Sequence, residues 1–202
     1  GYHSGLMRIW ILLASIVFLA SCEENYTPKP QAYTRVSLPD PTYLLTAGEN
    51  WNCPYEFEYS AQSAMTIDPR YQSKTCWYNL YYPGFRATIH LTYSPVEGDL
   101  SEQIEEARKL AMKHIAKATK ILENPIQNDS AGVYGLKYSF RGETASDVQF
   151  FLTDSSSHFL RGSLYFSVKP NKDSLSPIID YVDRDIDHLI KTLRWVSVGS
   201  SE

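Results

Sequence analysis

The sequence lacks the short motifs that mark the common catalytic sites. It contains no glycine-rich phosphate loop, no Gly-x-Ser-x-Gly, no His-Glu-x-x-His and no Cys-x-x-Cys. It also lacks a strong excess of one charge, because its formal net charge is −4 over 202 residues. Nucleic-acid binding needs a clustered basic face, so we expect no nucleic-acid partner. We further expect a protein that is not an enzyme and that uses no cofactor and no metal.

Long apolar runs are also missing. The longest mostly apolar stretch, Ile9 to Leu19, has eleven residues, whereas a membrane-spanning helix needs about 20. Arg8 precedes this stretch, and the order Leu-Ala-Ser-Cys ends it at Cys22. This combination is typical of a bacterial lipoprotein signal peptide. We therefore predict that residues 1–21 are removed and that Cys22 carries the lipid. A plain secretory signal that is cut before Cys22 is the alternative.

Cysteine is scarce, with three residues in the chain. If lipid occupies Cys22, Cys53 and Cys76 remain as an even pair. An extracytoplasmic compartment is oxidising and allows such a pair to form a disulfide. From the residues alone, two buried thiols are the alternative.

The predicted mature chain divides into three parts. Residues 22–50 contain four prolines, Pro28, Pro30, Pro39 and Pro41. Proline fixes φ and has no N–H donor, so this lipidated N-terminal segment favours an extended path, and we expect part of it to lie against the domain. Residues 51–196 carry strand and helix patterns and are predicted to form a single domain. Residues 197–202 are predicted to be a tail.

Strand patterns come first within the domain. The apolar residues Tyr55, Phe57 and Tyr59 alternate with glutamates, which is the period-2 pattern of a half-buried strand. Two further strand patterns, at 76–82 and 85–93, flank the turn dipeptide Pro-Gly. They predict an antiparallel hairpin.

The hydrophobic period then changes from 2 to 3.6 residues, which predicts an amphipathic helix from Leu100 to Leu122. Its apolar positions are Leu100, Ile104, Ala107, Ala111, Ile115, Ala118 and Leu122. Asp99 is expected to cap the N-terminus of this helix, and Pro125 is expected to follow its C-terminus.

Three more strand patterns follow, at 133–140, 148–153 and 159–168, and a second helix is predicted to begin near Pro177. Gly162 interrupts the apolar row of the last strand, which indicates a bulge or a close approach of another group. Short links between strands and the absence of βαβ repeats favour an α+β fold. We predict an antiparallel sheet of about five to six strands with two long amphipathic helices packed on it.

One loop carries residue types that are found in catalytic triads. Asp154, Ser155 and His158 offer an acid, a nucleophile and a base. A triad needs these groups to converge from separate elements onto an oxyanion hole, and a single loop does not provide that arrangement. We interpret the three residues as a turn with His158 at the start of a strand.

The last helix carries four acidic residues. They are Asp180, Asp183, Asp185 and Asp187, with Arg184 and His188 among them. Sites for hard cations usually use loops or facing helices whose oxygens converge. We therefore interpret the four aspartates as a solvated helix face and predict no metal site.

Several separated blocks of the mature chain resemble one known family. The blocks are Tyr-Thr-Pro-Lys-Pro from Tyr26 with Tyr33 and Arg35 after it, Cys-Pro-Tyr-Glu-Phe from Cys53, Cys-Trp-Tyr-Asn-Leu from Cys76, Val-Gln-Phe-Phe-Leu-Thr-Asp-Ser from Val148, His-Phe-Leu-Arg-Gly-Ser-Leu-Tyr-Phe from His158, Pro-Asn-Lys-Asp-Ser-Leu from Pro170, and Leu-Arg-Trp from Leu193. In this order, from Cys22 to about Trp195, the chain resembles the gliding motility lipoprotein GldD family of the Bacteroidetes.

The resemblance implies a role in gliding motility and in the associated type IX secretion machinery. It implies an envelope protein that is anchored in a membrane by lipid on Cys22 and that faces the periplasm or lies at the outer membrane. The implied partners are other lipoproteins and envelope proteins of that machinery. The family also has cysteines at the positions of Cys53 and Cys76, which favours the disulfide. It provides no catalytic residues to transfer.

We therefore expect a non-catalytic interaction or scaffold module. The candidate contact surface is the strand pair 147–168, where Phe151, Phe159, Arg161 and Tyr165 lie on the face opposite the expected core. Exposed aromatic residues beside an arginine are typical of interface hot spots. In the alternative arrangement, a helix or the N-terminal segment covers that face. The alternative function is binding of a small extracytoplasmic ligand, a glycan or a lipid, in a cleft lined by Tyr and Trp.

Overall fold

A computed structural model describes residues 37–47, 51–67, 74–113, 115–167 and 172–198. The predicted signal segment and Cys22 lie outside these residues. The described residues belong to one compact unit.

The described residues form eleven strands, two helices and a short 3-10 turn. The strands are β1 (Tyr43–Leu45), β2 (Tyr55–Glu56), β3 (Glu58–Ser60), β4 (Ala64–Thr66), β5 (Tyr78–Tyr82), β6 (Ala87–Pro95), β7 (Ala118–Asn128), β8 (Val133–Gly142), β9 (Ser146–Thr153), β10 (His158–Phe166) and β11 (Arg194–Trp195). The helices are α1 (Leu100–Met112) and α2 (Lys172–Thr192), and the 3-10 turn is Ile115–Lys117.

The main sheet has seven antiparallel strands in the order β4-β5-β6-β10-β9-β8-β7. This confirms the α+β class, with more strands than the predicted five to six. The predicted hairpin around the Pro-Gly turn is also present, because β5 pairs with β6 and Tyr82 lies opposite Ala87. Two small two-stranded sheets, β1-β3 and β2-β11, accompany the main sheet.

One face of the main sheet forms the large hydrophobic core beneath α2. Alternate residues of the central strands point to this face because successive side chains in a strand point to opposite sides. They include Ile89, Leu91, Val148, Phe150, Leu152, Leu160 and Leu164, all of which are buried. From α2, Val182, Ile186 and Leu189 join the same cluster. As period-2 alternation predicts, these residues of β9 and β10 lie on the face opposite Phe151 and Phe159.

The first helix is shorter than the hydrophobic period predicts. Asp99 caps α1 as expected, since its Oδ1 accepts a hydrogen bond of 2.8 Å from the N–H of Ser101. The helix ends at Met112, and residues 118–128 form β7 at the edge of the sheet. The predicted continuation to Leu122 is wrong because pairing with β8 outweighs the local helical pattern. Pro125 lies within this edge strand, a position where a missing N–H is tolerated.

The second helix begins earlier than predicted. It starts at Lys172, so Pro177 lies inside the helix and not at its first position. Proline lacks an N–H donor, so α2 has one intrahelical hydrogen bond fewer at this point. The apolar face that follows Pro177 packs on the sheet as the 3.6-residue period predicts.

Strand β1 lies within the segment 22–50 and pairs with β3. The Tyr43 hydroxyl donates a hydrogen bond of 3.0 Å to Asp185 on α2. The Tyr43 ring stacks on His188 with a centroid distance of 3.6 Å, and His188 Nε2 lies 2.6 Å from a Glu58 carboxylate oxygen. This part of the N-terminal segment is therefore joined to α2 by specific polar contacts.

A disulfide joins Cys53 and Cys76, which confirms the predicted pairing. The bond connects the chain before β2 to the chain before β5. Nearby, the buried Tyr55 hydroxyl donates a hydrogen bond of 2.7 Å to the carbonyl of Cys76. The two sulfur atoms and the Tyr55 ring belong to the main core.

We predict that replacement of both cysteines, Cys53→Ser with Cys76→Ser, lowers the free energy of unfolding. The disulfide closes a loop with a sequence separation of 23 residues, which corresponds to roughly 3 kcal/mol of lost unfolded-state entropy. Urea unfolding of the wild type with and without reductant provides the measurement, and reductant should leave the double variant unchanged. Equal stability of wild type and variant under oxidising conditions would contradict the prediction.

Gly162 on β10 marks a close approach, as its place in the apolar row indicates. It lies directly opposite Phe150 of β9 in the strand register. A Cβ atom at position 162 would lie 2.2 Å from Cζ of the Phe150 ring. The absence of a side chain at Gly162 therefore makes room for the buried Phe150 ring.

We predict that Gly162→Ala destabilises the domain by about 1–3 kcal/mol, because the added methyl group overpacks the core. Gly84→Ala is the matched control, since a Cβ atom there has no neighbour within 4 Å, and it should change stability by less than about 1 kcal/mol. Thermal or urea unfolding measures both. A second change, Phe150→Leu, should restore part of the stability lost in Gly162→Ala. Equal stabilities of Gly162→Ala and Gly84→Ala would refute the steric explanation.

Candidate functional site

The second face of the main sheet is covered by α1 only in part. Ala107 and Ala111 of α1 are buried against this face. Ala107 packs with Phe151 and Phe159, and Ala111 packs with aromatic residues of β8. Alanines let the helix lie close to the sheet, and the contact forms two small clusters beside the main core.

The predicted contact surface is not an exposed aromatic patch. Phe151 and Phe159 are only 6% and 5% exposed, and their rings stack at 5.5 Å beneath α1. The alternative arrangement, in which a helix covers this face, therefore holds for both phenylalanines. Alternation along the strands correctly predicts that both residues lie on the face opposite the main core. It does not predict that α1 packs on that face. Arg161 and Tyr165 are half-buried, and Arg161 lies beside α1.

An open cleft of about 600 Å³ lies between α1 and the part of the sheet that α1 leaves uncovered. Its lining combines apolar and polar side chains. Those used below are Trp77, His90, Gln103, Glu106, Leu110 and Arg161. They come from β6, β10, α1 and the residue before β5, so the cleft depends on the packing of several elements.

Arg161 is the cationic group of the cleft. One of its terminal nitrogens donates a hydrogen bond of 2.7 Å to Gln149 Oε1 on the neighbouring strand. Burial lowers the pKa of Arg161, while Tyr165 and Glu106 act in the opposite direction. Among the residues that the structure describes, no carboxylate forms an ion pair with Arg161 at 4.0 Å or less. The guanidinium group is thus partly desolvated without a paired negative charge.

Other polar groups of the cleft are held in place by hydrogen bonds. His90 Nδ1 lies 2.8 Å from Asn79 Oδ1 on the adjacent strand. Gln103 Nε2 donates to Ser94 Oγ and to the Pro95 carbonyl, each at 3.1 Å. Because that carbonyl can only accept, the Gln103 amide is oriented with its Oε1 atom on the other side. Gln103 Oε1 is buried and has no hydrogen-bond partner within the described part of the chain.

The sequence does not predict the cleft, although it predicts that several of the residues lining it occupy polar positions of strands. His90 and Arg161 alternate with core residues and therefore belong to the second face. No local sequence pattern indicates that β10 pairs with β6 as well as with β9. Trp77 and Gln103 carried no distinguishing signal at all.

The loop of Asp154, Ser155 and His158 has the structural role that was expected. Asp154 Oδ1 accepts hydrogen bonds from the N–H groups of residues 156, 157 and 158 at 2.8–2.9 Å. Burial acts to raise the pKa of Asp154, but these backbone donors outweigh it and the pKa lies below its ordinary value. His158 instead bonds the Tyr93 hydroxyl at 2.8 Å and stacks on Trp195. The three residues therefore hold a turn.

The acidic face of α2 is solvated only in part, because Asp180 and Asp187 are exposed whereas Asp185 is buried. Lys137 of β8 is buried beneath α2, and its Nζ atom lies 2.7 Å from Asp183 and 2.5 Å from Asp187. Arg141 lies 3.7 Å from Asp180. A lysine on the core side of a strand thus supplies the counter-charge for the helix, a pairing that helical spacing alone does not predict.

Asp185 is a buried acceptor and not a solvated residue. It is 2% exposed, and its two carboxylate oxygens accept hydrogen bonds from the hydroxyls of Tyr43 and Tyr82 at 3.0 and 3.1 Å. Burial and the neighbouring Asp185 both raise the pKa of Tyr82, so this hydroxyl remains a donor. In the described part of the chain, His, Cys, Asp and Glu residues form no group of three with metal-binding geometry.

Comparison with solved structures gives a low similarity. The solution structure of cyanobacterial PsbP (CyanoP) from Synechocystis sp. PCC 6803 covers 83% of this chain and 99% of its own, with 10% sequence identity and a TM-score of 0.47. No curated protein is significantly similar in sequence. Of the helices in the described ranges, neither has the length and apolar character to cross a bilayer.

Family comparison gives a specific result. The sequence model described as "Gliding motility lipoprotein GldD" matches residues 23–195, which is most of the chain. The match begins at the residue after Cys22 and ends at Trp195, so it includes all the elements described above. The protein therefore belongs to the GldD family of gliding motility lipoproteins.

Proposed function

We propose that this protein is a non-catalytic interaction or scaffold module of the gliding motility and type IX secretion machinery, held in the cell envelope by lipid on Cys22. The observation that carries the proposal is the family match over residues 23–195. It starts directly after the predicted lipidated cysteine. Other lipoproteins and envelope proteins of the same machinery are the proposed partners.

A structural role for the polar residues supports the non-catalytic part of the proposal. The carboxylate of Asp154 is used by three backbone donors, and the carboxylate of Asp185 by two tyrosines. A nucleophile and base within hydrogen-bond reach, with the base oriented by a third group, are the signature of nucleophilic catalysis. Because Asp154 and Asp185 stabilise loop and helix positions, neither orients the base of such a site.

We predict that deletion of the gene abolishes colony spreading and reduces secretion of type IX cargo. The reason is that loss of a required scaffold prevents assembly of the machinery. Spreading on agar and cargo levels in the culture medium are the two measurements, and re-expression of the wild-type gene should restore both. Normal spreading together with normal secretion in the deletion strain would sink the proposal.

We predict that Cys22→Ala moves the protein out of the membrane fraction and fails to restore spreading. Alanine at this position removes the thiol that receives the lipid. Ser21→Ala is the matched control, because it keeps a small residue before Cys22 and should leave lipidation intact. Intact mass and immunoblotting of membrane fractions follow the two variants. A Cys22→Ala protein that remains lipidated at the membrane would overturn the anchor.

Binding of a small ligand is a second candidate function. The cleft of about 600 Å³ beside α1 favours it, since ligand sites in proteins are typically of this size and combine apolar walls with a few placed polar groups. This function is compatible with a role in the envelope machinery. Unlike the scaffold role, it requires that residues of the cleft contact the ligand.

A further inference from the structure

We infer that the cleft beside α1 binds a small amphipathic monoanion. In this assignment Arg161 receives its negatively charged group, and Trp77 and Leu110 contact its apolar body. The inference goes beyond the proposed function and does not depend on it, because it rests on the geometry of the cleft alone.

The charge of Arg161 is the first argument. A guanidinium group has five N–H donors, and only one hydrogen bond is formed with Gln149. Gln149 is 2% exposed, so this bond fixes the arginine against a rigid strand. The arginine is partly desolvated and is not paired with a carboxylate among the described residues. A bound anion would supply the missing counter-charge through short, charge-assisted hydrogen bonds, for which arginine is well suited.

The shape and lining of the cleft are the second argument. Its volume of about 600 Å³ matches a small molecule and is too small for a folded partner. Trp77 lines the cleft with an indole ring that carries Lys74 Nζ at 5.7 Å from its centroid, and Leu110 lines it from α1. An apolar ligand body would find contacts on both sides, while its charged end reaches Arg161. The ligand class that fits is therefore amphipathic.

An unsatisfied acceptor is the third argument. Gln103 Oε1 is buried without a partner in the described residues, although the Nε2 atom of the same amide makes two hydrogen bonds. A buried acceptor without a donor costs free energy. Gln103 lines the cleft, so rotation of its side chain on binding would bring this acceptor to an N–H or O–H group of the ligand. The cleft therefore offers Arg161 as its cation, with Gln103 beside the polar end of a ligand.

Glu106 limits the negative charge that the ligand can carry. This residue lies on the exposed face of α1 and lines the cleft, and its charge is felt at Arg161. Glu106 repels every negative charge on the ligand, and Arg161 offsets one of them, so a monoanion is opposed less than a dianion. A carboxylate therefore fits better than a phosphate dianion.

A pair of matched fluorescent probes tests the inference. The probes are 1-anilinonaphthalene-8-sulfonate, which is a monoanion, and N-phenyl-1-naphthylamine, which has the same aromatic body without the charge. The protein is the full mature chain from residue 22, prepared without lipid so that no detergent is present. We expect the anionic probe to bind at least tenfold more tightly than the neutral one. Octanoate should displace it at lower concentration than octanol does.

Arg161→Gln should weaken binding of the anionic probe roughly tenfold to hundredfold, the range expected for lost hydrogen bonds to a charged group. It should leave binding of the neutral probe unchanged. Arg194→Gln, which changes an exposed arginine outside the cleft, should alter neither. Near-ultraviolet circular dichroism of each variant checks that the fold is intact. Equal binding of both probes, or an unchanged affinity in Arg161→Gln, would overturn the inference.

A second variant changes an exposed residue and should strengthen binding of the anionic probe. Glu106→Gln removes the competing negative charge and should tighten binding of the anionic probe roughly twofold to fivefold, an effect that high salt should abolish. Glu102→Gln on the same helix lies outside the cleft and should have no effect. A weaker or unchanged affinity in Glu106→Gln would count against a site for a monoanion.

Discussion

The structure depends on one constraint: a seven-stranded sheet has two faces, and the chain supplies helices of unequal length to cover them. Helix α2 covers the first face and completes a core of large apolar side chains. Helix α1 has 13 residues and is therefore only about 20 Å long. It buries Phe151 and Phe159 and packs on β8, but it leaves the side of the sheet toward β5 open. The cleft runs along one side of α1, where Gln103 and Leu110 line it, so the position of α1 on the sheet decides where the polar residues of β6 and β10 meet solvent.

Much of the fold could be predicted because the relevant signals are local. Alternation along β9 and β10 identified the buried set, and a 3.6-residue period identified the apolar face of α2. Asp99 was recognised as a cap since capping is a contact between neighbours. The failures arose where distant residues decide the outcome. Residues 118–122 fit a helical pattern, yet they begin β7 because β8 provides a partner strand, and an edge strand tolerates Pro125.

The candidate site was less predictable for the same reason. Period-2 alternation places Arg161 and His90 on the second face. It does not predict that β6 and β10 are adjacent, because strand order is decided by pairing between distant residues. The aspartates of α2 show the limit in another way. Their spacing is typical of a solvated face, whereas Lys137 on the core side of β8 pairs with two of them. A lysine among apolar strand residues is the signal that such a partner exists, although it does not say where the partner lies.

The two faces of the sheet also carry two different features of the domain. Strand β1, which belongs to the N-terminal segment, is joined to α2 through Tyr43 and Asp185 on the side of the first face. The cleft opens on the side of the second face, beside α1. A ligand in the cleft would therefore not compete with the contacts that hold β1. The proposed ligand site at Arg161 and the contacts that hold β1 are therefore separate features of the domain.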